Sequence, residues 1–330
     1  MNTTTVKTIA KACTLIAVIA GGTYWYFQHM ALYPSTEDAY VNASLVNVAP
    51  KVNGYVTDVL VKNDQLVHKG DVLFRIEAKD YTVQLTQQQQ ALEYAKEQAA
   101  SAKTQISSAQ AGVVSARANY VHMQEQVARY SQMNNQEAAS TEDLQKYQTQ
   151  LTQAKAQLTQ AENLVIQDDA LLSAANAQIE QAQSGVQNAQ NHVGYTDVTS
   201  AVNGYVTNMY LTPGQYVSAG QQVFGLVDND SWWIDANFKE TDLERIKAGE
   251  PVAIKLDMYK HGKYTGIVQS VSYASGGTFS LLPAQNATGN WVKVTQRFTT
   301  RIKVKNNAEY PLRVGASADV EVDTTHKKIS

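Results

Sequence analysis

A pentapeptide, VNGYV, occurs twice in the chain, at 52–56 and again at 202–206. The likeness extends beyond five letters. When 50–76 is laid on 200–226, Thr57 also meets Thr207, Gln65 meets Gln215, Val67 meets Val217 and Gly70 meets Gly220. Each copy alternates apolar and polar residues, the period of half-buried strands. Gly54, Gly70, Gly204, Gly220 and Pro213-Gly214 punctuate the strands where turns form. A stretch this short cannot bury a core alone, so the two copies are expected to complete one β-sandwich. Whatever lies between them is an insertion whose two ends must be close.

That insertion carries a heptad register. Leu85, Leu92, Ala95, Ala99, Ala102, Ile106, Ala109, Val113, Ala116, Tyr120, Met123, Val127 and Tyr130 fall at alternating threes and fours, interrupted only by Gln88. Leu144, Tyr147, Leu151, Ala154, Leu158, Ala161, Val165, Leu172, Ala175, Ile179, Ala182, Val186, Ala189 and Val193 repeat the pattern, with Asp168 as the polar intruder. No proline occurs from 81 to 212, so two unbroken helices of about 50 residues, roughly 75 Å long, are expected to pair as an antiparallel coiled coil. The Gln-rich outer surface would also suit disorder, but disorder has no reason to keep a heptad register. Ser140 before Glu142 and Asp143 reads as the N-cap of the second helix, and Asn134-Asn135 as the turn.

Residues 8–27 are apolar or small apart from Lys11, long enough to span a bilayer once. Lys7 and Lys11 precede the apolar core and the next basic residue is Lys51, which places the N-terminus in the cytoplasm and the rest of the chain outside. Tyr24, Trp25, Tyr26 and Phe27 form an aromatic belt at the outer end. A cleaved signal peptide is the rival reading. It is disfavoured because no small-x-small site follows and the run is long for that purpose.

The remaining composition excludes more than it suggests. A net charge of -3 gives no nucleic-acid footprint. The six histidines are scattered, the lone Cys13 has no internal partner, and no Walker-type phosphate loop occurs. No nucleophile–base pair, metal cluster or carboxylate dyad is supported by spacing, so neither catalysis nor a cofactor is expected. From residue 231 the pattern changes to longer strands at 232–238, 251–257, 264–273, 292–304 and 316–322, with a short helix over 241–248. Trp232 and Trp233 read as core and interdomain packing. A long loop at 275–290 carries Phe279, Leu281 and Leu282, with Trp291 just beyond.

Three segments carry a family resemblance: Thr36-Glu-Asp-Ala-Tyr-Val41, Ala236-Asn-Phe-Lys-Glu-Thr241, and 279–297 ending in Arg297. With the order of span, half-motif, hairpin, half-motif and strands, the chain resembles the membrane fusion proteins, or periplasmic adaptors, of the HlyD type, nearest their EmrA-like multidrug-efflux branch. The resemblance implies an α+β fold with an N-terminal transmembrane helix, a long antiparallel coiled-coil hairpin inserted in a lipoyl-like (biotinyl-lipoyl) β-sandwich, and a C-terminal β-barrel domain. The implied divisions are 1–30 for the tail and span and 31–48 for a linker and a strand joining the barrel. The first lipoyl-like half is 49–79, the hairpin 80–194 with its tip near 129–143, the second half 195–228, and the barrel and tail 229–330. In true lipoyl domains a modified lysine sits between the halves. Here the hairpin takes that place, so no lipoyl cofactor is expected.

The family's tip pattern of Arg, Leu and Ser, implicated in docking to a TolC-like outer-membrane channel, falls on Arg129, Met133 and Ser140, with methionine in place of leucine. The loop residues Phe279, Leu281, Leu282, Pro283, Asn286 and Trp291 are candidates for contact with a transporter or a neighbouring protomer. The implied role is that of a non-catalytic adaptor in the bacterial inner membrane, single-pass and mostly periplasmic. It would be a homo-oligomer linking a major facilitator superfamily drug:proton antiporter (EmrB-like) to the channel, because several tips on a symmetric channel gain avidity. Two alternatives stay open: an adaptor that itself binds hydrophobic substrates, or an HlyD-like secretion adaptor for an ATP-driven transporter.

Overall fold

The computed structural model describes residues 21–24, 26, 28–135, 140–259, 261–276, 295–307 and 309–325 of the 330-residue chain. Its strands in chain order are β1 (Ser35–Thr36), β2 (Ala39–Val48), β3 (Gly54–Val59), β4 (Leu66–Val67) and β5 (Val72–Ile76). Two long helices follow, α1 (Lys79–Asn135) and α2 (Thr141–Gly194). The chain continues with β6 (Asp197–Thr199), β7 (Gly204–Thr207), β8 (Tyr216–Val217), β9 (Phe224–Lys239), β10 (Pro251–Leu256), β11 (Lys263–Ser275), β12 (Arg297–Val304) and β13 (Ala318–Val322).

The repeat folds by exchange. β3 of the first copy pairs with β8 of the second, and β4 of the first pairs with β7 of the second. The hydrogen bonds obey the same two-fold rule. Val56 N–H donates to Gln215 O (2.9 Å) and Val206 N–H to Gln65 O (3.0 Å); Gly214 N–H donates to Val56 O and Asp64 N–H to Val206 O, each at 2.8 Å. The repeated Asn explains why it repeats: Asn53 Oδ1 accepts from Ala219 N–H (2.6 Å), and Asn203 Oδ1 accepts from Lys69 N–H (3.0 Å). Each copy's pentapeptide therefore satisfies turn amides of the other copy that would otherwise lack a protein partner.

Burial follows the same symmetry. Val56 and Val206, Val67 and Val217, and Phe74 and Phe224 occupy equivalent places and are all at most 2% exposed. The two Phe rings meet edge to face at 6.0 Å. Burying a side chain of this size is worth about 1.5–3 kcal/mol, and half of this core comes from each side of a long insertion. The glycines are there for contact as well as for turns. A β-carbon at Gly54 would lie 2.5 Å from Ile76 Cγ2, and one at Gly204 would overlap the Val227 carbonyl.

The ends of the insertion meet as expected, with Ile76 N–H donating to Thr196 O (2.9 Å) and Arg75 facing Asp197 in register. α1 has 57 residues and α2 has 54, so the hairpin is about 80 Å long at 1.5 Å per residue. The residues buried in its seam are all alanine: Ala95, Ala99, Ala102 and Ala109 from α1, and Ala154, Ala175 and Ala189 from α2. Small side chains let the two backbones approach closely, while each contact buries little area, so the pairing is summed over many weak layers. Gln88, the polar break in the first register, lies against Gly185, where a β-carbon would come within 2.7 Å of its Oε1. A missing side chain on one helix makes room for an oversized one on the other.

The second core is built by the long strands. A nine-stranded sheet runs β1-β13-β10-β11-β12-β9-β7-β4, with β2 also on β9. β9 is 16 residues long. Its start lies with the sandwich core (Phe224, Leu226), and its remainder supplies Trp232, Ile234, Ala236 and Phe238 to the other cluster, beside Val41, Ile254, Leu256, Ile302 and Val320. β2 also meets the segment before β13 through a Tyr40–Ser317 bridge and Val41 N–H to Ala316 O (2.9 Å). The expected strand at 232–238 thus begins eight residues earlier. Residues 241–248 hold only a 3-10 turn, Glu240–Asp242, followed by turns, so the expected short helix does not form; eight residues are too few to repay the cost of nucleating an α-helix on their own. Asn134 and Asn135, expected in the turn, lie in the last turn of α1.

Most of the apolar run 8–27 lies outside the described residues. Residues 21–24, 26 and 28–32 are helical, and among the described residues no helix is long and apolar enough to cross a membrane.

Replacing Gly204 by Val is expected to cost about 3 kcal/mol of sandwich stability, a core clash. Gly70→Ala, at φ +95° with open space around it, should cost about 1 kcal/mol. Urea unfolding followed by near-UV dichroism compares them; equal losses would refute the close approach at Gly204.

Candidate functional site

At the far end of the hairpin, Arg129 is exposed and Met133 is 37% exposed, four residues apart on α1 and so on one face. Ser140 is the N-cap of α2, with φ -75° and ψ 141°, and its hydroxyl accepts from Glu142 N–H at 3.2 Å. Glu142 and Asp143 in the first turn complement the positive end of the helix dipole. The rings of Tyr130 and Tyr147 lie 4.3 Å apart and tie the two helices just short of the tip. Hydrogen bonding to Tyr147, then the nearness of that phenol, raises Tyr130 above its ordinary value of 10.0. The tip therefore offers a cation, an apolar thioether and a hydroxyl already engaged with its own helix. Among its described residues no reactive pair stands out.

Phe279, Leu281, Leu282, Pro283, Asn286 and Trp291 lie outside the described residues. The roots of their segment are described, and there the three resemblance-bearing stretches converge. Arg297 donates to Asp38 Oδ2 (3.0 Å) and to Asn237 O (3.3 Å), Asn237 Nδ2 donates to Asp38 Oδ1 (3.2 Å), and Thr299 Oγ1 donates to Asn237 Oδ1 (2.8 Å). Thr36 Oγ1 adds a bond to Asn237 O (2.9 Å). The stretches containing Asp38, Asn237 and Arg297 are each distinctive in the linear chain, but nothing in it shows that they form one knot. Only strand pairing brings residues 38, 237 and 297 together.

A similar knot lies one step along β9. Asp235 accepts from Asn42 (3.0 Å), from Trp233 Nε1 (2.9 Å) and from Arg301 (3.1 Å), whose guanidinium stands over the Trp233 ring at 4.8 Å. Trp232 is core, at 4% exposed. Of the pair expected in core and interdomain packing, Trp233 is only half-buried and points to the opposite face, because side chains alternate along a strand. At the hairpin root, Tyr81 stacks on His192 (6.2 Å), its hydroxyl donates to Asn53 O (2.8 Å), and Lys51 lies over the Tyr195 ring at 4.7 Å. Among the described residues no group of three or more His, Cys, Asp or Glu could hold a metal ion.

These knots lock strands and helices; none carries chemistry. Residues 44–229 match the family described as RND MFP, barrel-sandwich hybrid domain. The multidrug export protein EmrA of Haemophilus influenzae is 33% identical over 315 residues, covering 93% of this chain and 80% of that protein. The chain belongs to the membrane fusion protein family. Within it, this EmrA-like adaptor is also 32% identical over 324 residues to the colistin resistance protein EmrA of Acinetobacter baumannii, covering 94% of this chain and 92% of that one. The crystal structure of MacA from Actinobacillus actinomycetemcomitans has the same fold, with a TM-score of 0.52 at 24% identity over 87% of this chain and 79% of that one. Membrane fusion proteins are a non-catalytic class, in keeping with knots that hold structure.

Ser140→Ala should weaken the start of α2 by about 1 kcal/mol, and Ser140→Asp should restore it. Hydrogen exchange at the amides of Glu142, Asp143 and Leu144 reads this directly; unchanged protection in the alanine variant would show that the cap is not stabilising.

Proposed function

We propose that this membrane fusion protein is the periplasmic adaptor of a tripartite multidrug efflux pump, anchored in the inner membrane by residues 8–27. The observation that carries the reading is the bisected sandwich with its two helices of 57 and 54 residues, in a chain 33% identical to a multidrug export protein along most of its length. A rod of about 80 Å held on a small β-body is a spacer. Its tip can reach a partner that the body cannot.

In this reading β2 and β9–β13 act as a closed barrel, supported by the hydrogen bonds that join β2 to the segment before β13. The barrel and the span hold a major facilitator superfamily drug:proton antiporter of the EmrB type, which supplies the energy, and the tip docks on a TolC-like outer-membrane channel. Arg129 donates hydrogen bonds to channel carbonyl or carboxylate groups, Met133 fills a groove, and Ser140 presents its remaining hydrogen-bonding capacity while capping α2. Residues 279–291, with Phe279, Leu281, Leu282, Pro283, Asn286 and Trp291, supply contacts to the transporter or to a neighbouring copy. Self-assembly follows from the symmetry of such a channel, since several tips bind with avidity that one lacks.

The test is Arg129→Ala at matched expression. Loss of a hot-spot arginine costs about 2 kcal/mol per tip, and with several tips engaged cross-linking to the channel should fall at least about tenfold, with drug resistance falling in parallel. Undiminished export together with unchanged cross-linking would overturn the docking role of the tip.

A further inference from the structure

The β11–β12 pair carries an irregularity with a purpose. Val271 faces Thr300 and Ser275 faces Phe298, so residues 272–274 of β11 stand against the single residue 299 of β12. The extra residues are clamped: Ser272 Oγ donates to Ala274 O (2.9 Å) and receives Ala274 N–H (3.3 Å). Tyr273 sits at the apex, 105% exposed, the most exposed large apolar residue among those described. A bulge re-aims side chains, and this one drives a phenol ring wholly out of the protein.

Strand direction places that ring. β9 runs from the sandwich at Phe224 to Lys239, Lys239 faces Arg297, and Phe298 faces Ser275. Tyr273 is therefore close to the end of the sheet farthest from the sandwich. The N-terminal segment enters at the same end and is tied there, with Val322 N–H donating to Pro34 O (3.0 Å) and Thr324 bonding Leu32 O through both N–H (3.2 Å) and Oγ1 (2.8 Å). The apolar run stops at Phe27, five positions before Leu32, and those positions are largely helical, roughly 8 Å of rise. No slack separates the end of the apolar run from this end of the sheet.

We propose that Tyr273 is a lipid-interface anchor that seats the Lys239 end of the sheet on the outer face of the bilayer. The inference rests on the membrane span proposed for residues 8–27. A phenol is suited to that depth, with its ring among the upper acyl carbons and its hydroxyl in the headgroups. The neighbouring connection alternates Lys239, Arg245 and Lys247 with Glu240, Asp242 and Glu244, so the attraction comes from the ring and is indifferent to lipid charge.

The experiment uses the full chain reconstituted in phosphatidylcholine vesicles, with and without an anionic lipid, carrying Tyr273→Trp and compared with the unsubstituted chain, whose four tryptophans set the baseline. Lipids brominated near the headgroup should quench the added emission in both lipid mixtures, and that emission should be blue-shifted from its position in water. If alkaline carbonate leaves the chain in the vesicles but the added tryptophan is unquenched and red-shifted, the anchor is overturned and the span stands. If carbonate strips the chain from the vesicles, both fall. Quenching only with anionic lipid would replace the ring by charge as the source of contact and would overturn the proposal too.

Discussion

The reciprocal exchange of backbone and side-chain hydrogen bonds between the two VNGYV copies is the constraint on which the rest of the structure depends. Each copy closes its tight turns within itself, as Gln65 N–H to Lys62 O and Gln215 N–H to Thr212 O show, but leaves other turn and strand groups to be met by the other copy: Asn53 serves Ala219, Asn203 serves Lys69, and Val56 and Val206 bond the turn residues of the opposite half. Neither half can satisfy its polar backbone or bury its valines alone. The sandwich must therefore close across a 57-residue and a 54-residue helix. Closing so long a loop costs entropy that grows only slowly with length, and pairing of the helices with each other removes most of the loop's freedom.

From that closure the architecture follows. Ile76 and Thr196 are bonded to each other, so both helices spring from one point and run side by side, and a seam of buried alanines keeps them close. The equivalent strand of the second copy, β9, continues without interruption into the second core. One repeat thus passes the chain into a rod and the other passes it into a β-body. The polar knots of Asp38, Asn237 and Arg297, and of Asn42, Trp233, Asp235 and Arg301, fasten the outer face of that body across its strands. A molecule built this way transmits position rather than reactivity, which is what a membrane fusion protein requires.

The heptad register, the repeat and its glycines, and the Ser140 cap were all legible in the linear sequence because each depends on residues near in sequence or on a strict period. Gln88 looked like a defect in the seam. Its accommodation by Gly185 became visible only when the helices were laid antiparallel, since the compensating residue lies on the other helix. The two tryptophans expected in core and interdomain packing divide for a related reason: a strand sends neighbours to opposite faces, so Trp232 enters the core and Trp233 lies half-buried on the other side. Residues 241–248, expected as a short helix, form a 3-10 turn and turns instead, because a segment so short cannot repay the cost of nucleating an α-helix.

By itself the sequence determined that one β-module is divided and that two long, unbroken, mutually paired helices fill the gap, because repeats and heptads are properties of the chain read locally. Only the tertiary structure decided which strand of each copy meets which strand of the other, that residues 38, 237 and 297 form one knot, and that Tyr273 is turned outward at the end where residues 32–36 are tied. Those outcomes depend on strand register, which is set by hydrogen bonds between residues far apart in the chain and leaves no periodic trace in either partner alone.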